Sequence, residues 1–291
     1  VASGFFSSAQ SIGNSPYASF GIGDVKYDNT VDINSMGGLS TAYISDFNNN
    51  FNFNNPAANK NLELTTVKFE ATNENNFFKS NFGDVNSKKH STYFSNISIA
   101  FPISSKVKFG LGYQPYSSKK YSIVKSTTFA DGTASANLFR GECNLSTVQA
   151  AISYQISPEF ALGFRTNFYL GNLYDINELT YSNAPLINGY ETRNKIKTFN
   201  FTLGTAYQKK FERDRKLTLG ATYTFGNTGQ METYYNNSTY FYYQDEKVNM
   251  HVVDKNTSDD KNLIPMQFSL GAGYGKEEKW FFGSQLAFRH G

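Results

Sequence analysis

Few residues in this sequence have the types and spacing that catalysis needs. The three histidines, His90, His251 and His290, fall at a strand edge, in a polar stretch read as a loop, and at the end of the chain. An outer-surface hydrolase needs a nucleophile held beside a positioned base. No spacing here suggests one, so an enzyme is not expected. Asp254, Asp259 and Asp260, with Asn256 and Asn262, supply the oxygen ligands that Ca²⁺ prefers, and Asp24, Asp28 and Asp32 invite the same comparison. The EF-hand spacing is absent, and a solvated loop is the preferred reading; no metal and no cofactor are expected. Cys143 is the single cysteine, so neither an internal disulfide nor a zinc site can be built on it. The sequon Asn144-Leu145-Ser146 is read as chance. Aromatic chemistry is denser. Tyr234, Tyr235, Tyr240, Phe241, Tyr242 and Tyr243 crowd one polar stretch. They could bind a ligand, fold back as a hairpin or dock on a partner, and exposed aromatic patches favour docking.

The elements that carry these residues are strands. Hydrophobic residues make up 39% of the 291, charged residues 18% and aromatics 16%. Ordinary globular domains hold roughly 45–50% apolar and about 25% charged residues. The difference is made up by Asn, Ser, Thr, Gly and Tyr. Abundant aromatics exclude a disordered chain, and no apolar run is long enough for a membrane-spanning helix. The net charge of +3, spread along the chain, makes nucleic acid an unexpected partner.

From about residue 61 the sequence alternates with period two. Val107, Phe109, Leu111 and Tyr113 share one face while Lys108, Gly110, Gly112 and Gln114 share the other. The same pattern recurs at Val148–Ile156, Phe160–Leu170, Phe199–Tyr207, Leu217–Phe225, Met266–Tyr274 and Trp280–Phe288. Each reads as a strand with one apolar and one polar face. Short turns fall at Ile103-Ser104-Ser105, Ser157-Pro158-Glu159, Glu212-Arg213-Asp214 and Lys276-Glu277-Glu278, and alternate with long polar stretches at 117–145, 172–195 and 227–262. Alternating short and long connections are the pattern of an outer-membrane barrel. Tyr113, Tyr154, Tyr207, Tyr223, Tyr274 and Phe101 end the apolar faces, as interfacial girdles do. A soluble sandwich also alternates but requires neither feature. The expected fold is therefore all-β, an antiparallel transmembrane β-barrel over 61–291. Nine strands are read, at about 62–72, 90–102, 106–116, 146–156, 159–171, 196–210, 216–226, 264–275 and 279–290. Because single-chain barrels have even counts, the C-terminal part of the barrel is expected to be missing.

Residues 1–60 differ, being rich in Ser, Gly and Asn. Ser35-Met36-Gly37-Gly38-Leu39-Ser40-Thr41-Ala42, followed by Asn54-Asn55-Pro56-Ala57-Ala58, resembles the start of the FadL-type transporters of long-chain fatty acids and hydrocarbons. The resemblance rests on Gly37, Gly38, Asn55, Pro56 and Ala57. It implies that 1–60 is a hatch plugging the barrel, that the complete barrel has fourteen strands, and that the ligand is a hydrophobic small molecule. It also implies a lateral exit at a kink in the third strand, for which Gly110, Gly112 and Pro115 are the candidates. The run Ser15 to Asp24 resembles the mature N-termini of outer-membrane proteins of Bacteroidota, which implies an outer-membrane location with the signal peptide removed. Some members of that group are barrel subunits of secretion or assembly machines. Three functions stay open: passage of hydrophobic molecules, a non-transporting subunit that docks other complex subunits, or a plain porin, which the plug-like N-terminus disfavours. Outer-membrane lipid is the expected surrounding in all three.

Overall fold

Residues that alternate apolar and polar along an extended chain pair into a sheet with two unlike faces, and the chain does so here. The computed structural model describes residues 21–26, 30–79, 86–244 and 246–290. Asp28, most of the run Ser15 to Asp24, and the side chains of Asp259, Asp260 and Asn262 lie outside the described residues.

After a short strand β1 (Asp24–Val25) and a single helical turn α1 (Val31–Ser35), the strands are β2 (Thr66–Lys79), β3 (Asn86–Pro102), β4 (Val107–Thr128), β5 (Ala134–Gln155), β6 (Phe160–Tyr181), β7 (Ile187–Lys210), β8 (Arg215–Thr224), β9 (Asn227–Tyr243), β10 (Glu246–Ile264), β11 (Met266–Lys276) and β12 (Trp280–His290). They form one antiparallel sheet in the order β12-β11-β8-β7-β6-β5-β4-β3-β2. The β9–β10 hairpin stands beside the far half of β7: Ile187–Ile196 pairs with β9, whereas Thr202–Lys210 pairs with β8. β8 and β9 are thus two parts of one course, as are β10 and β11, which part at Pro265 where the ladder lacks an N–H. The nine strands read from the sequence correspond to β2–β8, β11 and β12, and the β9–β10 hairpin falls in 227–262, which the sequence presents as a loop.

Two expectations are corrected. The sheet is open, with β2 and β12 as its edges, so the closed barrel is not formed by the described residues. The long polar stretches are not loops. β4, β5 and β6 each run for 22 residues and β7 for 24, about twice the 9–11 that cross a hydrocarbon layer. Their far halves mix apolar residues such as Ile123, Val124, Leu138, Phe139, Leu173 and Ile176 with polar ones on both faces, so hydropathy carries no regular alternation there although the ladders continue without a break from β5 to β6 and β6 to β7. The four short turns lie where the spacing predicts.

The two faces of the near half, next to the short turns, differ in burial. Leu111, Val148, Ile152, Leu162, Phe164, Phe199, Phe201, Leu203, Leu219, Phe268, Leu270 and Phe282 form an exposed apolar belt. The opposite face carries Ser153, Arg165, Asn167, Asn200, Thr202, Gln208, Lys216 and Thr218, all buried. What buries them is the N-terminal segment, residues 30–62.

Candidate functional site

The segment is seated by glycines and asparagines. α1 ends in a reversal: Gly37 and Gly38 have φ of +73° and +82°, and their amides donate to Asn34 O and Ile33 O at 3.0 and 2.9 Å. A side chain would be strained at either φ. The chain then crosses the polar face of the sheet. Gly163 and Gly204 are direct partners across β6 and β7, and Gly220 and Gly271 are partners across β8 and β11. A Cβ on Gly163 would lie 2.2 Å from the carbonyl carbon of Pro56 and 2.3 Å from Ala57 N; on Gly220 it would lie 1.9 Å from Thr41 O. Segment backbone therefore lies directly on strand backbone, and only glycine leaves room.

Asn55 locks this contact. It is fully buried. Its Nδ2 donates to Thr41 O at 2.6 Å and to Thr205 O at 3.0 Å, and its Oδ1 accepts from Ala57 N at 3.1 Å. Asn52 and Asn59 bind each other in a ring: Asn52 N donates to Asn59 Oδ1 at 2.6 Å, and Asn59 Nδ2 donates to Asn52 O at 2.9 Å. Low-complexity Asn thus serves as a buried set of donors and acceptors that satisfies a backbone with no ladder of its own. At the ends of the crossing, Gln285 Oε1 accepts from Ser40 N and Thr41 N at 3.0 and 2.9 Å, and Lys216 pairs with Asp46. Asp46 also accepts from Glu278 N at 3.0 Å.

The sequence-predicted residues separate into those brought together and those not. Asn55, Pro56 and Ala57 meet at the Gly163–Gly204 pair. Gly110 and Gly112 do not make a kink. Phe51 and Phe53 pack on them, with a Cβ at Gly110 reaching 2.6 Å from the Phe51 ring, so they are small to admit rings from the segment. A register shift does occur between Pro115 and Ser117, and the β3–β4 ladder stops at Ile97–Tyr113. Beyond that point β1 takes β3's place against β4.

The aromatic cluster lies on strand β9, not in a loop. Tyr240 is fully buried, and the hydroxyls of Tyr240 and Tyr242 both donate to Glu178 Oε1. Burial and the nearby carboxylate push the Tyr240 hydroxyl's pKa up, and that of Tyr242 up to about 12. Tyr243 remains exposed. His251 and Asp254 lie on β10 rather than in a loop, and no group of three or more metal-ligating side chains occurs among the described residues. Cys143 is buried among Leu145, Tyr169, Leu173 and Ile196, and burial pushes its thiol up to about 11. The paired glycines, Asn52, Asn59, Gln285 and the Lys216–Asp46 pair are not singled out by the sequence. The only signal for them is that glycine recurs on the polar face of the strands.

The sequence model of the BamG family matches residues 1–290. The chain belongs to the BamG family. That match overturns the FadL-type resemblance: the Gly-Gly and Asn-Pro-Ala stretches are features of a BamG-family chain, in which they turn and anchor the segment. No match is found among curated proteins. The family and the β-rich fold agree with an outer-membrane-associated protein that works with other complex subunits.

Proposed function

We propose that this BamG-family chain is a subunit of a BAM-type outer-membrane assembly complex, one that sits in the membrane as a scaffold and carries partner surfaces rather than a hydrophobic cargo. Family membership over residues 1–290 carries the reading. In this arrangement the apolar belt faces acyl chains, the short turns face the periplasm and the long strand halves project outward, as in other outer-membrane strands. The anchored segment acts as a plug over the polar face.

The segment is closely packed and its cavities are small. A cavity within the segment itself, lined by Ile33, Tyr43, Phe51, Asn52, Ala58 and Asn59 among others, holds about 20 Å³. A single water needs about 10–15 Å³ on this measure, so this cavity has room for little more than one. The cavity near Arg165, Tyr169 and Asn200 holds about 60 Å³ and is lined by Lys26, Arg165 and Arg289 as well. Transport of hydrophobic molecules, expected from the FadL-type resemblance, gives way with the BamG-family match to the assembly-complex reading.

The test is purification of the tagged chain from native outer membrane in mild detergent, with mass spectrometry of co-purified proteins and lipids. Stoichiometric recovery of the central barrel of the assembly machinery supports the proposal. A chain that purifies alone, with a bound hydrophobic small molecule at one per chain, overturns it.

A further inference from the structure

Just beyond the apolar belt, the face that looks at lipid in the proposed arrangement changes character over a few residues of β7. Its outward series runs Leu203, Phe201, Phe199, then Lys197, Lys195 and Arg193, all exposed. These three cations recur at every second residue, so they stand on one face about 7 Å apart. Their cross-strand partners are Leu170, Asn172 and Tyr174 on β6, and Lys195 and Arg193 face Glu232 and Tyr234 on β9. The Arg193 guanidinium lies 5.4 Å from the Tyr174 ring, and Lys255 Nζ lies 5.3 Å from the Tyr234 ring. Tyr174, Arg193, Lys195, Glu232 and Tyr234 line an open groove of about 680 Å³. Two carboxylates temper the charge: Glu191 accepts from Arg193 Nε at 2.5 Å, and Glu232 lies 3.9 Å from Lys195. Lys197, next on the same face of β7, and Lys255, over the ring of Tyr234, complete the cationic set.

We propose that this groove binds the phosphorylated headgroup of an outer-leaflet lipid, with Arg193, Lys195, Lys197 and Lys255 around the phosphate and the acyl chains lying down Leu170, Phe168, Phe199 and Phe201. The inference rests on the membrane arrangement proposed above. The occupant follows from the juxtaposition. A cationic, aromatic-flanked groove continuous with an exposed apolar surface matches an anionic head joined to hydrocarbon tails. Amphipathic Tyr, Lys and Arg side chains are the groups that settle at a membrane interface. A free anion would use the cations but leave the apolar surface below them bare, and an acidic protein would have no use for its continuity.

The experiment uses the full chain in mild detergent, titrated with diphosphoryl lipid A, with its dephosphorylated form, or with inorganic phosphate, and read by native mass spectrometry. The variant Arg193→Gln/Lys195→Gln/Lys197→Gln is expected to lose about tenfold or more in affinity for the phosphorylated lipid. Lys106→Gln/Lys209→Gln/Lys279→Gln, at the short-turn end, should bind as the natural chain does, and Lys195→Arg/Lys197→Arg should retain binding. Rising salt should weaken the interaction. Equal retention of both lipid forms, or equal affinity of the Gln variant, overturns the proposal, as does binding of inorganic phosphate without preference for the lipid. Loss of co-purified protein subunits from the Gln variant with unchanged lipid binding would assign the groove to a protein instead. Flotation of the natural chain with lipid vesicles separates the two levels: a chain that fails to float sinks the membrane arrangement, while one that floats but ignores the headgroup sinks only this inference.

Discussion

Replacing Asn55 by Ala should release the N-terminal segment while leaving the sheet intact. The side chain makes three hydrogen bonds from a site with no exposure to water. Truncation removes the acceptor of Ala57 N–H and the donor to Thr41 O, both buried with it. A buried group left without its partner costs about 1–3 kcal/mol, and the third bond, to Thr205 O, adds about 1 kcal/mol. The seated segment should therefore lose about 3–7 kcal/mol, or roughly two to five powers of ten in its equilibrium with the lifted state. Because the Thr205 carbonyl belongs to a sheet with its own ladders, the loss falls on the segment as a local opening. Hydrogen exchange of the detergent-solubilised chain is the direct assay. Amides of residues 40–62 should exchange faster by about that factor, and amides of β6 and β7 should be unchanged. Asn49→Ala, in the same low-complexity run but exposed, is the control. If Asn55→Ala and Asn49→Ala exchange alike, the anchoring role is wrong.

Other outcomes follow from the same contacts. Gly220→Ala puts a methyl 1.9 Å from Thr41 O, backbone that cannot swing aside, so limited proteolysis should cut within residues 38–46 while the strand circular-dichroism signal persists. Lys216→Met strands the largely buried Asp46 carboxylate and should destabilise the folded chain by about 3–5 kcal/mol; the double variant Lys216→Met/Asp46→Asn should recover part of that, read by denaturant midpoint. Tyr242, whose hydroxyl ionises near 12 when folded against an ordinary 10, contributes stability that is complete below pH 10 and is lost as pH climbs towards 12. Tyr242→Phe should flatten that alkaline loss, and an unchanged pH profile would remove Tyr242 from the cause.

The division between local pattern and tertiary structure is sharp in this chain. Period-two alternation is a property of neighbouring residues, because successive side chains of a strand point to opposite faces. It was enough to determine the all-β class, the near halves of nine strands with one apolar face, and the four short turns, including Ser157-Pro158-Glu159 and Glu212-Arg213-Asp214. Where polar and apolar residues share both faces of a strand, as in the far halves of β4 to β7 and in β9 and β10, hydropathy has no clear period, and 117–145, 172–195 and 227–262 read as loops. The Asn-Pro-Ala stretch was legible as a motif but not its seat, since Asn55 and Thr205 are 150 residues apart and no local rule links Pro56 to Gly163. The same distance problem turned Tyr240 from a surface aromatic into a buried one, because its partner Glu178 lies on another strand 62 residues away. Glycine could be seen on the polar face of the strands, but that it was there to admit another length of backbone was decided only when the chain folded back upon itself.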